Sequence, residues 1–185
     1  MILAAPVLPR RRTLVALALV ALISLTIGAL VAHSGGNSSS PSRAHARAWT
    51  YTSGDRSFSV TYPNGWKAGS MGPTGAVIER ADHRGLVLIR EHAAIKGSLS
   101  TLVKSLPGDL ARRFADFRPA GASVARLSTG PAVVYTFVRT KAKKVQSIVI
   151  APAARRSFTL EVVAPTGAHD AARQAGQIVR SLKSR

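Results

Sequence analysis

The sequence predicts an α+β domain, an antiparallel sheet with flanking helices, carried behind a single N-terminal membrane-spanning segment. Three observations support this. Thr13–Ala32 is a run of twenty uncharged, mostly aliphatic residues directly after Arg10-Arg11-Arg12. Several short segments further on alternate apolar and polar residues with the period of two of half-buried strands. Between and after these segments, apolar residues recur at three and four, the spacing of amphipathic helices.

The apolar run, as a helix, would rise about 30 Å and cross the hydrocarbon core of a bilayer. The arginine triplet would hold residues 1–12 in the cytoplasm, with everything after residue 32 exported. The run exceeds the usual signal-peptide core. The small-x-small motif Ala44-His45-Ala46 lies some twelve residues beyond it, so an uncleaved anchor is expected. Cleavage would make the protein secreted instead. Residues 33–48, HSGGNSSSPSRAHARA, have almost nothing apolar to bury and read as a flexible linker.

A domain is expected over 49–185. Phe58-Ser59-Val60-Thr61-Tyr62 alternates as a half-buried strand and ends in the turn sequence Pro63-Asn64-Gly65. Trp66 follows the turn and is expected to pack under the sheet. Met71–Gly75 reads as a loop. Ala76–Ala81 and Leu86–Glu91 read as a hairpin around Asp82-His83-Arg84-Gly85. From Ser98 to Phe117 the pattern is helical, with Ser98 as a cap and Leu99, Leu102, Val103 and Leu106 in register. Pro107-Gly108 is expected to break it, with Asp109 capping a second piece. Arg118–Gly121 would close the region. Ser123–Leu127, Ala132–Arg139, Val145–Ala151 and Ser157–Ala164 then read as a meander, its short loops favouring antiparallel pairing. A last helix follows Asp170, with Ala171, Ala175, Ile178, Val179 and Leu182 as its apolar stripe.

Phe58-Ser59-Val60-Thr61-Tyr62-Pro63-Asn64-Gly65-Trp66, the mid-chain helix, the meander ending in Phe158-Thr159-Leu160-Glu161-Val162 and the closing Ile178-Val179-Arg180-Ser181-Leu182 together resemble the PsbP-like fold family, including its exported LpqN-type proteins. The resemblance runs from about Trp49 to Lys183. It implies an α/β/α sandwich with no common catalytic centre, in proteins that act as binding or assembly partners. Fold likeness alone assigns no activity.

Composition narrows the chemistry. There are 26 Lys and Arg against 8 Asp and Glu, a net charge of +18, and 23 of the cations lie from His33 onward. Such a surface attracts anionic lipid, acidic polymer or nucleic acid. Export makes a nucleic-acid partner unexpected, and the aromatics follow core periodicity without the basic interleaving of a single-strand platform. The absence of cysteine excludes disulfides, thiol catalysis and cysteine-ligated metal. His33, His45, His83, His92 and His169 form no ligand pair, with His83 and His92 near opposite ends of one strand. No metal, cofactor or catalytic residue is assigned. Gly-x-Ser-x-Gly is absent, and the few acids suit ion pairing, Glu79 and Glu91 with Arg80, Arg84 or Arg90.

The one candidate contact surface is the meander turn of Arg139, Lys141, Lys143 and Lys144, facing an anionic surface. Arg155-Arg156 form the next turn, at the opposite end of the sheet. The functional expectation is a membrane-tethered, noncatalytic extracytoplasmic domain that binds a protein, lipid or anionic polymer of the cell envelope. The alternatives are a charge-driven binder of anionic lipid or polymer, and an exported hydrolase acting on envelope material. Oligomeric state is not legible.

Overall fold

A computed structural model describes residues 48–185. The arginine triplet, the apolar run and the linker up to residue 47 lie outside the described residues. Ala48, expected as the last linker residue, opens the first strand. Among the described residues no helix is long and apolar enough to cross a membrane.

The elements run in the order β1 (Ala48–Thr52), β2 (Phe58–Pro63), β3 (Trp66–Ser70), β4 (Gly75–Arg80), β5 (Leu86–Ala93), α1 (Leu99–Arg113), β6 (Phe117–Leu127), β7 (Gly130–Arg139), β8 (Lys144–Pro152), β9 (Arg156–Pro165), α2 (His169–Arg180) and β10 (Lys183–Ser184). The fold is thus a mostly-sheet α+β arrangement. Seven strands form one antiparallel sheet in the order β3-β4-β5-β9-β8-β7-β6, and a smaller sheet has the order β1-β2-β10. The expected hairpin of β4 and β5 and the meander β6 to β9 are both present.

Alternation of side chains across the large sheet separates two cores. On one face Val87 and Ile89 of β5, Phe158 and Leu160 of β9 and Val149 of β8 pack with Phe58 and Val60 of β2 and with α2. All five residues of the predicted stripe on the last helix, Ala171, Ala175, Ile178, Val179 and Leu182, are buried there. On the other face Leu106 and Leu110 of α1 cover Phe117, Tyr135, Phe137, Ile148 and Ile150. Trp66 is buried as expected, and its indole N–H donates to Gln174 Oε1 at 2.8 Å. Gly85 makes room for that ring: a Cβ there would lie 2.6 Å from Trp66 Cη2.

The helical region departs from expectation. Pro107-Gly108 does not break it, and α1 is one fifteen-residue helix with Pro107 inside. Leu106 and Leu110 are buried on either side of the proline, so apolar burial along one line outweighs the lost backbone hydrogen bond. Ser98 caps the helix as predicted, its hydroxyl accepting from the Ser100 amide at 3.1 Å. Asp109 caps nothing and instead pairs with Arg112. The helix ends at Arg113, so Phe117 opens β6, and Arg118–Gly121 continue that strand rather than closing a loop. β6 is a sheet edge, where a proline costs no ladder bond, and the register shifts between Pro119 and Gly121.

Pro107→Ala restores a donor for the Val103 carbonyl. An internal proline costs about 3 kcal/mol, part of which returns as reduced freedom of the unfolded chain. The substitution is expected to stabilise the fold by about 2 kcal/mol, read as a higher urea midpoint with unchanged slope.

Candidate anion-binding surface

The turn between β7 and β8 is organised by Asp116, which sits just before β6 with its side chain 5% exposed. Its Oδ1 accepts from the Arg139 guanidinium, and its Oδ2 accepts from the amides of Lys141 at 3.1 Å and Ala142 at 3.2 Å. Its carbonyl accepts from the Thr140 amide at 3.2 Å. Across the turn, the Lys143 carbonyl accepts from the Thr166 amide at 2.8 Å, while Lys143 itself adopts a left-handed φ of 51°. One carboxylate therefore binds both the last cation of β7 and the turn's backbone.

This geometry divides the four predicted residues. Arg139 is half-buried, paired with Asp116, and its guanidinium carbon lies 4.0 Å from the centre of the Phe114 ring. It holds the turn in place. Lys141, Lys143 and Lys144 are exposed. The lysines thus project from a backbone that is itself pinned. Arg155 and Arg156 flank the turn at the other end of the sheet, and Arg156 donates to Glu91 at 2.9 Å. The predicted partners of Glu79 and Glu91 are replaced: Glu79 meets His83 at 2.7 Å, while Arg80 meets Asp82 at 3.2 Å. The strand register separates Glu79 and Glu91, and the neighbouring β9 supplies the guanidinium.

A second polar cluster escaped the sequence reading. Glu161 on β9 lies opposite Leu88 of β5, so Arg90 is its diagonal neighbour on the same face of the sheet, two residues from His92. Burial raises the Glu161 carboxyl above the ordinary range, offset in part by Arg113 and Arg90. Burial lowers His92, and the Arg90 charge adds to this. Arg113, at the end of α1, is lowered by burial, with Glu161 opposing. Glu161 Oε2, His92 Nε2 and Gln146 Oε1 are buried without a hydrogen-bond partner among the described residues. The signal in the sequence was an acid at the centre of an apolar strand, Phe158-Thr159-Leu160-Glu161-Val162. Among the described residues no serine or threonine hydroxyl is hydrogen-bonded to a histidine, and no three acids or histidines gather as a metal site.

The two carboxylates respond oppositely to acid. Burial pushes Asp116 up, but the Arg139 hydrogen bond and the turn amides more than compensate and hold it below 3.8. Its contribution is present above the unfolded value and is lost as pH falls through the folded one. Glu161 is raised, so its ionisation opposes folding at neutral pH and that penalty fades on acidification. Thermal midpoints measured from pH 7 to pH 3 should therefore fall less steeply for Asp116→Asn than for the parent chain. Glu161→Gln should be steeper than the parent, because the compensating gain is gone.

No protein-family model matches the chain, and no curated protein matches it. The fold does have solved neighbours. The solution structure of cyanobacterial PsbP (CyanoP) from Synechocystis sp. PCC 6803 superposes with a TM-score of 0.55 at 10% identity, covering 80% of this chain and 98% of that one. The chain has a PsbP-like fold, as the strand-Pro-Asn-Gly-Trp resemblance implied. LpqN of Mycobacterium tuberculosis, described as involved in cell envelope biogenesis, aligns over 74% of this chain and 89% of its own, with 17% identity and a TM-score of 0.41. A Bacteroides thetaiotaomicron protein aligns over 74% of this chain and 48% of its own, with 16% identity and a TM-score of 0.41.

Proposed function

We propose that this protein is a membrane-tethered, extracytoplasmic binding domain that engages an anionic component of the cell envelope through Lys141, Lys143 and Lys144. One observation carries the reading: the distribution of charge. Seven of the eight acids are committed to hydrogen bonds or ion pairs within the fold, and the eighth, Glu161, lies among arginines on the sheet face. The three lysines stand exposed on a turn that Asp116 fixes. Three ammonium groups carried on a fixed stretch of backbone attract negative charge. The tether rests on the apolar run behind three arginines, and the spacer on the Ser/Gly linker.

Two measurements test this. Protease added to intact cells is expected to degrade the chain from residue 48 onward and spare a membrane-bound N-terminal fragment. Protection of the domain overturns the orientation, and a mature chain beginning near His33 or Arg47 overturns the tether. Full-length protein held in phosphatidylcholine nanodiscs should bind phosphatidylglycerol vesicles at low salt and release them at high salt. Retention that is independent of salt overturns binding by charge.

A further inference from the structure

A second cationic feature lies at the opposite end of the large sheet, and it is a cleft rather than a projecting turn. Three segments converge on it. The turn between β6 and β7 supplies Thr129, the turn between β8 and β9 supplies Arg155 and leads into Arg156, and the segment at β10 supplies Ser184 and Arg185. The space between them is about 470 Å³ and half open to solvent, with Ala153 and Ala154 completing its lining.

The walls are held in place by the fold. Ser128 Oγ donates to the Leu182 carbonyl, tying the first turn to the segment before β10. The Arg185 amide donates to the Ser57 carbonyl at 2.9 Å. The Ala153 amide donates to the Arg156 carbonyl at 2.9 Å and closes the second turn. Arg156 is half-buried and oriented by Glu91 at 2.9 Å, a carboxylate that also accepts from the Ser57 hydroxyl. A guanidinium has five N–H donors, and Glu91 engages one nitrogen of this one. Thr129 Oγ1 is buried without a hydrogen-bond partner among the described residues. Three arginines, Arg155, Arg156 and Arg185, thus line one cleft together with Thr129 and Ser184, and Glu91 pairs with Arg156 at its wall.

We infer that this cleft binds a phosphate ester. Planar guanidinium forks match the oxygens of a phosphate in pairs, and arginine is preferred over lysine where that directional fit matters. The contrast with the other end of the sheet supports the assignment, since lysines on an exposed turn act as point charges without the directional fork of a guanidinium. Thr129 and Ser184 line the same cleft beside the cations. The site goes beyond the lysine surface and does not depend on it. A phospholipid headgroup and a soluble phosphate monoester share the recognised chemistry.

The experiment is calorimetric titration of the full-length protein in neutral detergent with inorganic phosphate, glycerol 3-phosphate and dihexanoyl phosphatidylglycerol below its micelle concentration. Saturable binding of at least one probe is expected, weakened about tenfold or more by Arg155→Gln and by Arg185→Gln. Both residues are exposed, and unchanged circular dichroism verifies the fold of each variant. The chain with Lys141, Lys143 and Lys144 all changed to alanine should bind as the parent does. Stronger binding of the lipid identifies a headgroup site, and stronger binding of glycerol 3-phosphate a soluble ester. Absence of saturable binding of every probe overturns the inference. So does parental affinity in both arginine variants, or an equal loss in the lysine variant, which would mean diffuse charge attraction.

Discussion

Phe158→Ala is expected to destabilise the domain by about 3–5 kcal/mol, the range for removing a buried aromatic ring. Phe158 is fully buried on β9, between Glu91 of β5 and Ala151 of β8 in the register. Its ring meets Phe58 of β2 edge-on, with centroids 5.7 Å apart at 70°. Phe58 in turn lies 6.2 Å from Tyr51 of β1. One ring therefore joins the centre of the seven-stranded sheet to the three-stranded one. Truncation leaves a void between two sheets whose backbones are each held by their own ladders, so little collapse can fill it. The loss is comparable with the whole stability of a marginal domain. Phe158→Leu retains most of the volume and should cost less, under about 2 kcal/mol. Urea unfolding followed by the fluorescence of buried Trp66 reads both; equal effects of Ala and Leu would remove the cavity explanation.

Changing Lys141, Lys143 and Lys144 together to alanine is expected to weaken binding of phosphatidylglycerol vesicles by about 100-fold. Each lysine near an anionic membrane contributes about 1 kcal/mol, and three such terms amount to roughly two decades of affinity. The thermal midpoint should stay within about 2 °C of the parent, since the three side chains are exposed and surface changes alter stability little. Arg139→Ala should behave differently. It breaks the pair with Asp116 and strips the cation from Phe114, so it should lower stability. Vesicle binding measured at low salt by flotation of nanodisc-held protein separates the two. Full affinity in the triple variant would exclude the turn as the contact.

Much of the fold was legible from residue pattern. The stripe read for the last helix has five apolar residues and all five are buried, four on α2 and Leu182 just past its end. The hairpin and the meander were marked by alternation and by short turns. Elements that escaped notice lack such marks. β10 has two residues, and the β3 segment Trp66-Lys67-Ala68-Gly69-Ser70 offers only Trp66 and the small Ala68 as an apolar alternation. β1 is mostly exposed. These strands exist because partners lie beside them, which no local window records. Pro107-Gly108 misled for the opposite reason: the local signal was strong, and the tertiary contacts of Leu106 and Leu110 overrode it.

The site was legible to a smaller degree. The lysine turn stands out as a charge run. Asp116 does not, because it precedes that turn by more than twenty residues and sits where helical spacing was expected to continue. Glu161 is visible as an acid in an apolar strand, but its proximity to Arg90 depends on the pairing of β5 with β9. Neither turn sequence shows that one cationic end projects and the other encloses a cleft.

The nine residues of β8 set a distance between those ends. At about 3.3 Å per residue they stand about 30 Å apart, several times the screening length of about 8 Å at physiological salt. Each end therefore senses its own counter-ions. Neutralising one should leave the affinity of the other unchanged, and the two losses should add. A short anion can satisfy only one end, whereas a polyanion longer than this span can occupy both. For such a polymer the second contact is intramolecular, so chain length, rather than charge density alone, becomes a determinant of retention.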